Sequence, residues 1–318
     1  MYLASFKKIY MKINQIGYLL VLLIVVVSCK KDDDTVEIIP PDPLSETIVE
    51  DDAAIKAFLQ THFYNYEEFE NPGEDFDYKI EIDTVAGENA DKTPMWEMES
   101  LKSGVITMTS GRVGITDEEE TIDHTYYYIN VREGVGASTT AVDSVYVKYQ
   151  GSLLNGSVFD ESYAPIWFDL NSSVTGFGAG VSHFTAGGEP IYNADGSFSV
   201  SGYGIGLVVF PSALGYYSQS RTSIPAYSPL VFKIELWAAK VTDHDGDGVP
   251  TSVEDLNHNG YIFDDDTDGD NVINAYDIDD DGDGIGTYDE IEVDDAGNII
   301  FTDTDNDGIP DYLDDDTP

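Results

Sequence analysis

Val147-Lys148-Tyr149-Gln150-Gly151, followed closely by Gly156-Ser157-Val158-Phe159-Asp160-Glu161-Ser162, is the stretch on which the fold turns. Val145 to Tyr149 alternates β-branched and aromatic residues with others, the two-residue period of a half-buried strand, and the glycines that follow interrupt it. Working outward, Tyr126 to Val131 reads as an earlier strand, broken at Gly134 and Gly136. Leu207-Val208-Val209-Phe210 and Leu230-Val231-Phe232-Lys233-Ile234-Glu235-Leu236 read as later ones. Between them only Gly178 to Phe184 suggests a helix, and a short one. Several strands around one short helix predict an α+β domain on an antiparallel sheet.

The fragments that fill this frame occur in a telling order. Val147 to Gly151 and Gly156 to Ser162 are followed by Val174-Thr175-Gly176-Phe177 with Gly180, by Phe210-Pro211-Ser212-Ala213-Leu214-Gly215-Tyr216, and by Ile224-Pro225 with Pro229-Leu230-Val231-Phe232. Across residues 124–242 the chain thereby resembles the FK506-binding (FKBP-type) peptidyl-prolyl cis-trans isomerases. The resemblance implies an FKBP-like antiparallel sheet wrapped around a short helix. It also implies a substrate pocket lined by Tyr149, Phe159, Asp160, Ile166, Phe168, Val174, Phe177, Tyr216, Ile224 and Phe232. In the family the prolyl ring lies on the residue at the Phe177 position. The backbone N–H at the Val174 position and the tyrosine hydroxyl at the Tyr216 position hold substrate carbonyls. Three departures stand out: Phe177 replaces the usual tryptophan, Tyr217 the usual glycine, and Ser173 a common apolar residue. An insertion near 189–203 reads as a substrate flap or, preferably, a surface hairpin.

The residue types suit that chemistry. Rotating an X-Pro bond meets a barrier of about 18–20 kcal/mol because amide resonance is lost. A twisted amide is less polar than a planar one, so a dry aromatic pocket favours it, with no nucleophile and no cofactor required. Taken singly, each of these aromatics is more readily explained as core.

The N-terminal end carries other signals. Lysines at 7, 8 and 12 precede the apolar run Ile16 to Val27, which ends at Ser28-Cys29 before Lys30-Lys31-Asp32-Asp33-Asp34. A basic start, a short apolar stretch and a small residue describe an export signal over 1–28. The single cysteine, Cys29, sits where the lipobox of bacterial lipoproteins places its lipidated residue, and the stretch after it resembles the surface-export tag of Bacteroidetes lipoproteins. The expected location is the cell envelope, lipid-anchored at Cys29, at the outer membrane. Residues 29–48, with Pro40, Pro41 and Pro43, read as a tether. Residues 49–123 read as an α/β extension: a helix through Ala53, Ile55, Phe58, Leu59 and Phe63 with Asp51-Asp52 near its start, then strands at Tyr78–Ile82 and Val105–Met108.

Beyond Lys240 there is no Lys or Arg, and aspartate recurs every few residues. Asp243, Asp245, Asp247, Gly248 and Glu254 occupy positions 1, 3, 5, 6 and 12 of an EF-hand-type calcium loop, in which carboxylates converge and glycine makes the turn. Asp279, Asp281, Asp283 and Glu290 repeat it around Gly284, as do Asp303, Asp305, Asp307 and Asp314 around Gly308. Looser copies are Asp255, Asn257, Asn259 and Asp266, and then Asp266, Asp268, Asp270 and Asp277 with Asn271 at the sixth place. Closely chained loops of this kind, without full flanking helices, resemble thrombospondin type 3 repeats. Residues 243–318 are therefore expected to bind structural calcium, at about 10⁻⁴–10⁻³ M per site.

A net charge of −46 excludes nucleic acid as a partner, since phosphate binding needs clustered Lys and Arg. The five histidines show no ligand spacing. The expected function is isomerisation of X-Pro bonds in exported polypeptides at the envelope. The alternatives are a non-catalytic FKBP-fold binding or adhesion module with a calcium-dependent spacer, and a glycan-binding surface lipoprotein.

Overall fold

The structure, a computed structural model, describes residues 40–116, 119–193 and 198–316, and Pro41–Pro318 form one unit. Cys29 and the signal lie outside the described residues, as do Asp117-Glu118 and Ala194 to Ser197. Among the described residues no helix is long and apolar enough to cross a membrane.

Helix α1 (Leu44–Thr61) is followed by a ribbon of β1 (His62–Tyr64) and β2 (Ile82–Thr84), with the short α2 (Tyr66–Glu70) between them. The main sheet is antiparallel and seven-stranded: β3 (Leu101–Thr109), β4 (Thr121–Arg132), β5 (Ser144–Leu153), β6 (Val158–Glu161), β7 (Ile166–Asp169), β10 (Gly204–Phe210) and β11 (Leu230–Lys240). Its order is β3-β4-β10-β11-β5-β6, and β7 pairs with the N-terminal half of β5. Helix α3 (Thr175–Val181) lies between β7 and a small hairpin, β8 (Ile191–Tyr192) with β9 (Phe198–Ser199). A second hairpin, β12 (Ile291–Val293) with β13 (Ile299–Phe301), interrupts the acidic tail.

The central strand β10 explains the layering. Successive strand side chains point to opposite faces, so Val208 and Phe210 enter one core while Ile205, Leu207 and Val209 enter another. β11 divides likewise, Leu230, Phe232, Ile234 and Leu236 against Val231. Helix α3, too short to persist alone, is held on the first face by close approach. A Cβ on Gly176 would stand 2.3 Å from the Phe210 ring, and one on Gly180 2.5 Å from Val208. The second face is covered by α1 through Ile55, Phe58 and Leu59, whose burial contributes about 1.5–3 kcal/mol per side chain. The sheet is thus a filling between two layers.

Several expectations are corrected here. The tether does not run to 48: α1 begins at Leu44, which is fully buried. No side chain caps this helix from within; the Glu120 carboxylate, arriving from the strand region, accepts the Leu44 N–H at 2.7 Å and also takes the Ser45 hydroxyl. Asp51 and Asp52 therefore lie mid-helix, and Phe63 belongs to β1. Tyr78 is in the left-handed region (φ 58°), and of the strand predicted at Tyr78–Ile82 only Ile82 is extended in the sheet, as the start of β2 (Ile82–Thr84). The boundary at 124 falls inside β4, whose other edge pairs with β3 of the extension, for example Val105 with Thr125. The helix placed at 178–184 runs instead from Thr175 to Val181. The insertion is a surface hairpin: Phe198 packs on Tyr146, at 5.3 Å between rings, on the face opposite Val145 and Val147.

Candidate functional site

Two constellations stand out, one aromatic and one acidic. The first forms where β5, β6, β7, α3 and β11 meet. Tyr149 on β5 lies edge-on to Phe168 of β7 at 5.4 Å and to Phe177 of α3 at 6.0 Å. Phe177 packs against Phe232 of β11 at 5.0 Å, and Phe159 of β6 meets Phe232 at 5.6 Å. Each pair is edge-on, the arrangement ring quadrupoles prefer. Phe177 and Phe232 are buried, while Tyr149, Phe159 and Phe168 are half-exposed, so the cluster opens outward. Gly151 makes room for it: a Cβ there would stand 2.6 Å from Phe159 and 2.9 Å from Phe232.

The remaining expected residues sit around these rings. Val174 and Tyr216 are half-buried against the same core, Ile224 is buried in it, and the Arg221 guanidinium lies 5.0 Å from the Tyr216 ring centre. Asp160 is exposed and accepts the Tyr149 hydroxyl at 2.6 Å. Burial, and then the Asp160 carboxylate, push the Tyr149 hydroxyl well above its ordinary pKa, so it stays a donor. Ile166 is set apart: it shares the Phe168 face of β7 but is largely exposed. Sequence reasoning missed Phe210, which stacks on Phe232 from behind at 5.7 Å.

It also missed what holds the segment carrying Tyr216 and Ile224. Asp51 of α1, 4% exposed, accepts the Ser212 N–H at 2.8 Å and the Ser212 hydroxyl at 2.6 Å through one oxygen. Burial raises the Asp51 pKa, and the Ser212 hydrogen bonds partly oppose it. Tyr217, in the place of the family's glycine, keeps a left-handed backbone (φ 49°). Its buried hydroxyl donates to the Asp42 carbonyl and lies 3.3 Å from the Thr47 hydroxyl. Asp42 in turn donates its N–H to the Tyr227 hydroxyl at 2.8 Å. Tyr217 thereby anchors this segment to the start of the N-terminal helix.

The acidic constellation repeats one geometry. In the five loops, residue 1 accepts the N–H of residue 6: Gly248 to Asp243, Gly260 to Asp255, Asn271 to Asp266, Gly284 to Asp279 and Gly308 to Asp303, at 2.8–3.2 Å. Residue 5 accepts the N–H of residue 7 in each, as Asp247 does from Val249 at 2.8 Å. The sixth residue has φ between 74° and 101°, which is why glycine, or asparagine at 271, occupies it. The carboxylates of Asp243, Asp245 and Asp247 converge, as do those of Asp266, Asp268 and Asp270, of Asp279, Asp281 and Asp283, and of Asp303, Asp305 and Asp307. In the second loop Asn257 and Asn259 instead donate their amides toward Asp264 and Asp265. Of the twelfth-place acids, Glu254 is fully buried, and Glu290 and Asp314 nearly so; Asp266 and Asp277 close the two looser copies and are more open.

Many of these oxygens are buried without hydrogen-bond partners, among them one oxygen each of Asp245, Asp247, Asp279, Asp281, Asp283 and Asp303 and both of Glu254 and Glu290. Burial, then neighbouring charges led by Asp245, push Glu254 up to about 9, and burial with Asp281 and Asp283 brings Glu290 to about 7. Carboxylate oxygens gathered this densely, many of them without a donor, fit a hard oxygen-seeking cation. The ninth residue, unremarked in the sequence, ties the second residue's N–H in four loops: Thr251, Asn274, Thr287 and Asp311. The tail is docked on the sheet domain. The imidazole of His244 bridges the Thr251 hydroxyl and Asp169 of β7, Asn171 donates to the Tyr276 hydroxyl at 2.9 Å, and Ile262 and Ala275 pack with Val142.

Comparison with known proteins bears on both regions. A family model described as BamM C-terminal matches residues 244–299. The FKBP-type peptidyl-prolyl cis-trans isomerase FkpA of Aeromonas hydrophila is 30% identical over 175 residues, covering 54% of this chain and 57% of that protein. A probable FKBP-type 25 kDa peptidyl-prolyl cis-trans isomerase of Pseudomonas aeruginosa is 32% identical over 107 residues, 33% of this chain and 40% of that one. Among solved structures, FkpA from Escherichia coli is 25% identical with a TM-score of 0.33, covering 45% of this chain and 53% of that one. The chain thus spans only part of the length of these curated relatives, 57% of one and 40% of the other. Over about half of its own length it is homologous to the FKBP-type peptidyl-prolyl cis-trans isomerases, and its aspartate-rich end carries the BamM C-terminal match.

Proposed function

We propose that this protein is an FKBP-type peptidyl-prolyl isomerase that assists the folding of exported polypeptides, lipid-anchored through Cys29 at the outer membrane, with a tail stabilised by calcium. The observation that carries the reading is the outward-opening aromatic cluster with Phe177 and Phe232 buried beneath Tyr149, Phe159 and Phe168. X-Pro isomerisation breaks no bond, so the residues need only bind, desolvate and orient. The prolyl ring rests on Phe177, and Phe159, Tyr149 and Phe232 exclude water, favouring the less polar twisted amide. The Val174 N–H and the Tyr216 hydroxyl hold the flanking carbonyls. Asp160 fixes the Tyr149 ring through the 2.6 Å hydrogen bond. Slow proline isomerisation limits folding outside the cytoplasm as elsewhere, which gives such an activity its use.

Calcium, bound by the first, third, fifth and twelfth residues of the loops, supplies the positive charge that lets their carboxylates share so small a volume. The catalytic reading is tested by cis/trans exchange of a short X-Pro peptide, followed by NMR with calcium present. Acceleration that Phe159→Ala reduces at least about tenfold, a loss of roughly 1.4 kcal/mol of transition-state stabilisation, is the expected result. No acceleration by folded protein refutes catalysis and leaves a binding module.

A further inference from the structure

Asp280 belongs to none of the first, third, fifth or twelfth positions, yet it is 1% exposed and both its carboxylate oxygens lack a hydrogen-bond partner. It has been carried into the first loop. An oxygen of Asp280 lies within 4.8 Å of oxygens of Asp247 and Glu254, which are 3% and 0% exposed. Five oxygens of this trio are without partners: one of Asp247, two of Glu254 and two of Asp280. Calcium–oxygen distances of about 2.3–2.6 Å allow two ligands of one ion to stand up to about 5 Å apart, so this spacing suits a shared ion. The two loops are also packed together independently of these acids. A Cβ on Gly248 of the first would stand 3.1 Å from Ile291 and 3.3 Å from Tyr288, just beyond the fourth loop's Thr287.

We infer that Asp280 is a cation ligand lent by the fourth loop to the ion held by Asp247 and Glu254 of the first, so that one divalent cation bolts the two repeats together. The inference rests on the calcium reading of the loops and adds a ligand and an architecture to it. Three buried carboxylates with five unpaired oxygens among them cannot all stay ionised without a compensating charge, because removing charge from water costs several kcal/mol per ion. A dry, all-carboxylate site of this kind suits a flexible oxygen-coordinated ion of the calcium class rather than magnesium, which keeps several waters. It cannot form until residues 247–254 and 279–290 have met, so binding and docking are one event.

The test uses the full chain, stripped of metal and titrated with calcium chloride, with calorimetry for binding and amide hydrogen exchange read segment by segment. For the wild type, calcium protects both 247–254 and 279–290. Asp280→Asn is expected to weaken the tightest site at least about tenfold, no less than losing a supporting partner costs a metal site. It should also remove calcium-dependent protection from both segments. Glu254→Gln is expected to remove protection from 279–290 across the repeats, and Asp305→Asn in the exposed fifth loop to spare both segments. The fluorescence of Trp96, Trp167 and Trp237 reports that the sheet domain stays folded throughout. Wild-type titration by Asp280→Asn, or loss confined to its own loop, overturns the shared site while leaving calcium binding intact. A wild type that binds no calcium overturns both readings at once.

Discussion

Replacing Asp51 by alanine tests how the N-terminal helix is joined to the segment bearing Tyr216 and Ile224. Its Oδ2 atom is the acceptor for both Ser212 donors, and Ser212 is fully buried. Truncation leaves a buried N–H and a buried O–H without partners, at about 1–3 kcal/mol each. With some water entering, the expected loss is about 3 kcal/mol, a large share of an ordinary domain stability of about 5–15 kcal/mol. Asparagine should behave differently. Its single carbonyl oxygen can accept both hydrogen bonds, and it removes a carboxylate whose burial raises its pKa. Asp51→Asn is therefore expected within about 1 kcal/mol of the wild type at neutral pH. Asp52→Ala, next door but exposed, should shift stability by no more than about 0.5 kcal/mol. The assay is urea unfolding in calcium followed by tryptophan fluorescence, since Trp96 lies beside α1 with the Lys56 ammonium 5.2 Å from its ring. Equal losses for Asp51→Ala and Asp52→Ala, or for the alanine and asparagine variants of Asp51, would refute the reasoning.

Gly151→Ala should cost about 1–3 kcal/mol by overpacking and push the Phe159 ring outward, lowering isomerase activity more than Ser157→Ala does; unchanged unfolding midpoints would contradict this. The calcium-free tail should respond to pH in an unusual direction. Glu254, pushed up to about 9, and Asp280, up to about 8, take up protons on folding, so stability contributed by the protonated forms is lost as pH rises from the usual carboxylate range near 4 towards 9. Calcium should reverse the trend, because its ligands must be deprotonated. Scattering radii measured at pH 5 and pH 9, with and without calcium, check the sign; the same direction in both conditions would sink it.

The strands were legible because alternation survives in them: Val145 to Tyr149 and Leu230 to Leu236 show their faces in the residues themselves. The aromatic cluster was legible only as a set, since no single phenylalanine distinguishes a pocket from a core. What escaped depended on partners far along the chain. Leu44 looked like part of a tether because its helix is capped by Glu120, 76 residues away, and Asp51 looked like a helix-start acid because Ser212 lies 161 residues on. Asp280 escaped for a related reason: its position is variable in the loop pattern, and only docking against the first loop buries it.

The two-sided burial of β10 has a bearing on inheritance. If residues 124–242 were transplanted alone, Ile129, Ile205, Leu207, Val209 and Val231 would form a bare apolar sheet face, a surface that invites self-association. The smallest portion of this chain able to move between proteins as a soluble module therefore begins at the helix that starts with Leu44, and a shuffling event that cut at residue 124 would be selected against before catalysis came into question.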